Sequence, residues 1–172
     1  GIHLSLTWGN AVALMPNTIL TDYEGYFYSS FTRLLFLSLN KKILHAIEFE
    51  LCAQIEKALT HGIKIDHIDS QHHIHMIPAI FKIVKKISQK YKIKYVRIPA
   101  EPLFFIRHLP ECFAFTKNIH KYLLITFLSR LQRNNKITFF GLLYSNSMTK
   151  SVLDRTLLNN TQPFTEILLH PG

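Results

Sequence analysis

A chain of 172 residues, 48% of them hydrophobic and 18% charged, can bury the core of one domain and is too apolar to be disordered. The net charge is +9, but the lysines are scattered over the polar sides of helical patterns, so a nucleic-acid surface is the least favoured interpretation. The best apolar run, residues 122–128, is well short of the ~20 residues that span a bilayer, and Cys52 and Cys112 form neither a metal motif nor a disulfide framework, which favours a cytoplasmic location.

Strand and helix patterns alternate along the chain. Residues 1–7 alternate between apolar and polar and predict a strand with His3, Ser5 and Thr7 on one face, and residues 8–30 predict a long loop. Further strands are predicted over 63–67, 93–98, 137–140 and 165–169. Helices are predicted over 43–61, from Pro78 through Ile87, within 110–130 and over 148–158. This alternation predicts an α/β fold with a mainly parallel sheet.

A histidine cluster directly follows the strand predicted at 63–67. Four of the ten histidines fall between residues 67 and 75, and three of these four lie within Asp69-Ser70-Gln71-His72-His73-Ile74-His75. In an extended segment Gln71, His73 and His75 would project to one side and His72 to the other. Such a row suits metal ligands and their supporting partners, and Asp69 could orient an imidazole or coordinate directly. We prefer this to a purely structural role because so many histidines fall together.

Other polar residues lie in or just after predicted strands. These are His3, Arg97, Glu101 and His170. Ligand groups in parallel sheets gather at the carboxyl ends of the strands, so the unusual polar residues are expected on one rim. Taken singly, Arg97 and Glu101 also suit a structural ion pair, and His170 suits an ordinary turn.

Five motifs follow one another in the order found in a known family. They are Gly1–Thr7, His67–Pro78, Tyr95–Glu101, Phe139–Gly141 and Thr165–Gly172. In this order they resemble the YdjC-like carbohydrate deacetylases, which include chitooligosaccharide deacetylases and hopanoid-associated members. The resemblance implies a single domain over 1–172 with a (β/α) barrel-like parallel sheet. We expect an incomplete barrel, truncated at both ends, that lacks its N-terminal strand or strands and its C-terminal helices.

The resemblance also implies a divalent metal, Mg²⁺ or Zn²⁺, and hydrolysis of N-acetyl groups on amino sugars or oligosaccharides. The family's ligands are an acidic residue of an Asp-Asp pair, which residues 1–172 do not contain, the histidine matched by His3, and the residue after Asp-Ser. That last position is Gln71 here, where the family has histidine. A Gln oxygen suits magnesium better than zinc, and His73 or His75 could ligate instead.

The remaining roles follow from the same resemblance. His170 is expected to protonate the leaving amine, and Asp69 is the second catalytic candidate, while a carboxylate of the acidic pair acts as base. Substrate contacts are expected from Trp8, His75, Arg97 and Glu101, and aromatic residues of the 8–30 loop could pack on sugar rings.

Alternative functions stay open. The same histidines would serve a metal-dependent hydrolase of another substrate class, such as phosphate esters. Gln71 and the missing acidic pair also suit an inactive, truncated remnant. The expected partner is an N-acetylated sugar, without nucleic acid or stable membrane insertion, and a homodimer is left open.

Overall fold

The computed structural model describes residues 1–101, 123–130, 137–142, 148–158 and 164–169. The chain divides into two compact units, Gly1–Arg97 and Ile98–Gly172. Each unit contains its own parallel strand pairing.

The first unit is a three-stranded parallel sheet with helical connections. Its strands are β1 (Ile2–Leu4), β2 (His67–Ser70) and β3 (Tyr95–Val96), in the order β1-β2-β3. Its helices are α1 (Phe31–Leu37), α2 (Lys41–Thr60) and α3 (Pro78–Lys90). The register of β1 and β2 places His3 opposite Asp69, which sets the geometry of the polar rim.

Local signals fix the ends of the two long helices. The side chain of Asn40 caps α2 by accepting from the Lys42 amide, and Gly62 follows the helix at a φ of +75°, where a residue without Cβ is favoured. Pro78 begins α3, where a missing amide proton is harmless. Both helices bury apolar stripes against the sheet. The shared core includes Leu4, Ile47, Leu51, Ile55, Ile68, Ile80, Val84 and Ile87.

The described residues of the second unit form two helices and a parallel strand pair. Residues 123–130 form α4, β4 is Ile137–Phe140, α5 is Lys150–Leu158, and β5 is Phe164–Ile167. Strands β4 and β5 pair in parallel, and the Leu168 amide donates to the Phe140 carbonyl. Gly141 follows β4 at a φ of +108°, and a Cβ there would lie 2.5 Å from the Leu168 carbonyl oxygen, so the close approach requires glycine.

The predicted α/β alternation and the parallel pairing are confirmed. The strand expected at 63–67 instead begins at His67 and ends at Ser70, and α1 was not predicted because seven residues carry little periodicity. The helix expected within 110–130 is observed over 123–130, and its earlier part lies outside the described residues. The described residues form no closed barrel, and none of their helices combines the length and apolarity needed to cross a membrane.

Candidate functional site

A polar cluster lies where the three strands of the first unit end. His3 is carried by β1, Asp69 by β2, Gln71 follows β2 and Arg97 follows β3. The sequence predicts these residues on one rim, and the structure brings all four together. We call them the His3 cluster.

Both nitrogens of the His3 ring have a partner in the cluster. Nδ1 lies 2.6 Å from Asp69 Oδ1, and Nε2 lies 2.8 Å from Gln71 Oε1. The second oxygen of Asp69 accepts a hydrogen bond from the Arg97 guanidinium. Asp69 therefore joins the ring and the guanidinium through separate oxygens.

The charges of the cluster shift two pKa values in opposite directions. Burial alone would raise the pKa of Asp69, but the hydrogen bond from His3 and the positive charge of Arg97 outweigh it, and the pKa is lowered. The hydrogen bond to Asp69 raises the pKa of His3 above its ordinary 6.5, although partial burial and the charge of Arg97 oppose this. Asp69 is thus held as a carboxylate that favours a proton on the His3 ring.

The proton positions follow from these partners. An ionised Asp69 only accepts, so Nδ1 of His3 must donate to it. A protonated His3 also donates from Nε2 to Gln71 Oε1. A neutral His3 instead turns a lone pair toward the Gln71 side chain, and two acceptors would then face each other 2.8 Å apart. That arrangement requires either rotation of the Gln71 amide or a cation between the two atoms.

His3 Nε2 and Gln71 Oε1 have the spacing of two adjacent metal ligands. Two ligands at right angles, each ~2.1 Å from a cation, are separated by about 3.0 Å, close to the observed 2.8 Å. Asp69 fixes the opposite nitrogen of the ring, as a supporting carboxylate does at many metal sites. Within the part of the chain that the structure describes, no three His, Cys, Asp or Glu side chains are grouped to hold a metal. The described residues therefore fit as two ligands, and a complete set needs others.

His75 lies in an enclosed position beside the cluster. It is fully buried; Ser70 Oγ is the partner of Nδ1, and Nε2 lies 2.9 Å from the Arg97 carbonyl oxygen. A carbonyl only accepts, so Nε2 carries the proton and Nδ1 accepts from the Ser70 hydroxyl. Burial lowers the pKa of His75 to about 4, against the opposing hydrogen bond to the Arg97 backbone. The hydrogen bonds of His75 connect the segment after β2 to Arg97. Because the ring is buried, it has no exposed face for a substrate.

The histidine cluster is not extended, so the predicted alternation of its side chains is wrong. Residues Gln71–Met76 form a 3₁₀ segment interrupted by a kink at His72 and His73, whose φ angles are +52° and +55°. This left-handed conformation costs a residue with a Cβ about 1 kcal/mol or more. It leaves His72 exposed, with Nδ1 3.0 Å from Thr7 Oγ1, and buries His73. The expected row of Gln71, His73 and His75 on one side therefore does not form.

The remaining predicted site residues are Trp8, Glu101 and His170. Trp8, with 75% of its surface exposed, begins the loop after β1. Glu101 belongs to the second unit, where it is buried and accepts a hydrogen bond from the Gly141 amide at 3.1 Å. His170 lies outside the described residues.

Two residues of α2 that the sequence reasoning missed are connected to the rim. Glu50 is fully buried and accepts hydrogen bonds from three successive backbone amides of the loop after β1, and Gln54 contacts both Glu50 and the backbone of Ser5. A signal was present in the sequence, since Glu50 and Gln54 interrupt the apolar stripe formed by Ile47, Leu51 and Ile55. A carboxylate on a buried helical face is costly unless hydrogen bonds satisfy it.

Comparison with known proteins gives a consistent family relationship. The family model described as YdjC-like protein matches residues 1–172. A carbohydrate deacetylase of Brevibacillus brevis is 41% identical over 100 residues, which are 58% of this chain and 37% of that protein. A carbohydrate deacetylase of Listeria monocytogenes is 37% identical over 66% of this chain and 45% of its own length. A carbohydrate deacetylase of Xenopus laevis is 32% identical over 59% of this chain and 34% of its own length. The chain thus spans less than half the length of these relatives.

Proposed function

The chain belongs to the YdjC-like family, and on that premise we propose that the full-length protein is a carbohydrate deacetylase that removes N-acetyl groups from an amino sugar or oligosaccharide. Relatives that bear the name carbohydrate deacetylase support the activity. The observation that carries it to particular residues is the His3 cluster, in which a histidine, a carboxylate and a guanidinium meet at the ends of three parallel strands.

A divalent cation belongs to this proposal. His3 and Gln71 would hold the cation, and Asp69 would orient the His3 ring. The remaining ligands would come from residues other than these three. The oxygen of Gln71 favours magnesium over zinc. When bound, such a cation supplies polarisation of the acetyl carbonyl and a more acidic water.

Asp69 and Arg97 are assigned positioning roles. Both oxygens of Asp69 are engaged, one by His3 and one by Arg97, which suits a residue that orients an imidazole rather than one that coordinates directly. Arg97 in turn holds His75 through its carbonyl oxygen. We therefore propose that Arg97 supports the site through Asp69 and His75, and we keep the substrate contact expected of it as part of the proposal.

The chemistry is hydrolysis of an amide. Water adds its oxygen to the acetyl carbon, the bond from that carbon to the sugar nitrogen breaks, acetate leaves, and the amine takes a proton. We retain His170 as the donor of that proton. The carboxylate base of the family's Asp-Asp pair has no counterpart in the sequence of residues 1–172.

Acetate release by the full-length protein tests the proposal. N-acetylated chitooligosaccharides and a phosphate ester are offered in parallel, with magnesium, with zinc and with a chelator. We expect acetate with the sugars, loss on chelation, and loss in His3→Ala, while His61→Ala, an exposed histidine at the end of α2, keeps wild-type turnover. Phosphate release without acetate release would favour the other hydrolase class.

Two broader expectations belong to the same proposal. The first is that the parallel sheets form part of a (β/α) barrel-like fold in the full-length protein. The second is a cytoplasmic location, with which the free thiol of Cys52 is compatible.

A further inference from the structure

A buried carboxylate holds the loop after β1. Glu50 accepts hydrogen bonds from the backbone amides of Val12, Ala13 and Leu14 at 2.9, 2.8 and 3.0 Å. A fourth comes from the Gln54 side chain at 2.9 Å. Each oxygen of Glu50 therefore accepts two N–H donors, and the side chain is completely removed from solvent.

These partners satisfy the carboxylate without a neutralising cation. All four donors are neutral amides, and the ion pairs found among the described residues do not include Glu50. Burial of a charged group costs free energy, so an apolar side chain on this face of α2 would stabilise the fold at least as well. What an apolar side chain could not do is fix three consecutive amides of a loop in one orientation.

Gln54 extends this contact to the strand that carries His3. Its side-chain oxygen accepts from the Ser5 amide at 3.0 Å, and its side-chain nitrogen donates to the Ser5 carbonyl at 2.8 Å. The Ser5 hydroxyl donates to the Trp8 carbonyl at 2.7 Å, which starts the loop. Glu50 and Gln54, one helical turn apart, thus join the loop to a point two residues beyond His3. We call this pair the α2 brace.

The loop that the brace holds is folded by backbone bridges and presents large side chains to solvent. Bridges between Asn10 and Tyr26 and between Thr21 and Phe27 fold it back on itself. Exposed fractions are 75% for Trp8 and 82% for Tyr23, and Met15, Tyr26 and Tyr28 are also exposed. Aromatic side chains on a rigid support offer large contact area at little entropic cost, which suits the flat faces of sugar rings.

We propose that Glu50 is a positioning residue which, with Gln54, fixes the loop after β1 (residues 8–28) relative to the strand of His3. The exposed aromatic side chains of this loop then contact the sugar units of an oligosaccharide. This rests on the proposed deacetylase function. It extends the site from the atoms near the acetyl group to a surface for the sugar chain, and it assigns a role to a helix that carries no predicted site residue.

Glu50→Gln in the full-length protein provides the test. The substitution keeps the shape of the side chain but turns an N–H group toward backbone amides that need an acceptor. Glu56→Gln is the matched control, because Glu56 lies on the same helix and is exposed. Hydrogen exchange of residues 12–14 reports the loop, and acetate release from N-acetylated chitooligosaccharides reports the function.

For Glu50→Gln we expect amide exchange at residues 12–14 to accelerate at least about tenfold. The KM for a long oligosaccharide should rise about tenfold with kcat changed less than about threefold, because the brace acts on binding of the chain and not on the acetyl group. Glu56→Gln should match the wild type in both measurements. A trimmed substrate of one or two sugars should lose this difference between Glu50→Gln and wild type.

The other outcomes are also decisive. Faster exchange with unchanged KM would show that the loop position does not affect binding, and would overturn the proposal. Equal falls in kcat for long and short substrates would do the same. If Glu50→Gln does not fold, Glu50→Asp keeps the charge and takes its place, and failure of both makes Glu50 a folding residue instead. A wild-type protein without deacetylase activity would refute the proposed function, while the exchange data would still decide whether Glu50 holds the loop.

Discussion

Replacement of Asp69 by Asn separates the charge of this carboxylate from its shape. The side chains of Asp69 and Arg97 are 11% and 15% exposed, so their ion pair is largely removed from water. Loss of one partner from a buried pair costs about 3–5 kcal/mol, and the lower end applies here because the Asn oxygen still accepts one hydrogen bond. We expect Asp69→Asn to lower the free energy of unfolding by about 3 kcal/mol. For a chain of this length that corresponds to a fall in Tm of roughly 6–12 °C.

Urea unfolding in the presence of a chelator measures this change without a contribution from metal. Far-UV circular dichroism is the suitable signal, because the single tryptophan, Trp8, is already 75% exposed in the folded protein. Asp66→Asn is the matched control. Its side chain is 78% exposed, so the same chemical change should leave the free energy of unfolding close to the wild-type value.

A second measurement tests the role of Asp69 toward His3. The hydrogen bond to Asp69 is the main reason that the pKa of His3 is raised, so Asp69→Asn should lower that pKa. NMR titration of the ring gives the value directly. Metal affinity should also fall about 10–100-fold, as for other carboxylates that support a ligating histidine. Equal stability of the two Asp→Asn variants, together with an unchanged His3 pKa, would refute this account of the cluster.

Three further changes test the histidine segment. Burial lowers the pKa of His75 to about 4, so between pH 6.5 and pH 4 the unfolded chain binds a proton that the folded chain does not. The free energy of unfolding should therefore be highest above pH 6.5 and fall by about 3 kcal/mol toward pH 4. Urea titrations should show this slope in wild type and a flatter one in His75→Gln, and an equal slope in both would contradict it. His72→Val should be about 1–2 kcal/mol less stable than His72→Asn in thermal unfolding, because a β-branched residue is strained at a φ of +52°. The ring of His72 is exposed, so loss of packing should contribute little to this difference. Equal stability of the two variants would show that the backbone there relaxes. Gln71→His should bind zinc at least about tenfold more tightly in competition with a chelating dye, and unchanged affinity would argue that residue 71 is not a ligand.

The long elements were predictable because their signals are local. Apolar spacing in α2 and α3, Asn40 before one helix and Pro78 at the start of the other all act within a few residues. The meeting of His3 with Asp69 and Arg97 followed from a simple topological rule, that parallel strands end at the same edge. For this reason the rim could be predicted without knowledge of any contact.

The arrangement after β2 could not be predicted in the same way. Two consecutive residues in left-handed conformation, His72 and His73, are unfavourable taken alone and persist only because the surrounding fold holds them. His75 is fixed by Ser70 and by a carbonyl 22 residues later, and neither contact leaves a periodic trace in the sequence. The buried role of Glu50 similarly depends on where a distant loop returns to α2. In each case a long-range contact overrides the local pattern.

The opposing effects of Asp69 and Arg97 on His3 explain why the cluster contains both. Asp69 alone would fix the ring but would also favour its protonated form, which has no lone pair for a ligand or a general base. The positive charge of Arg97 lowers the pKa of both His3 and Asp69, and its hydrogen bond holds Asp69 in place. Arg97 therefore preserves the orientation that Asp69 imposes and offsets part of the proton affinity that comes with it. A histidine oriented at Nδ1 and without a proton on Nε2 is the form that a cation beside Gln71 requires.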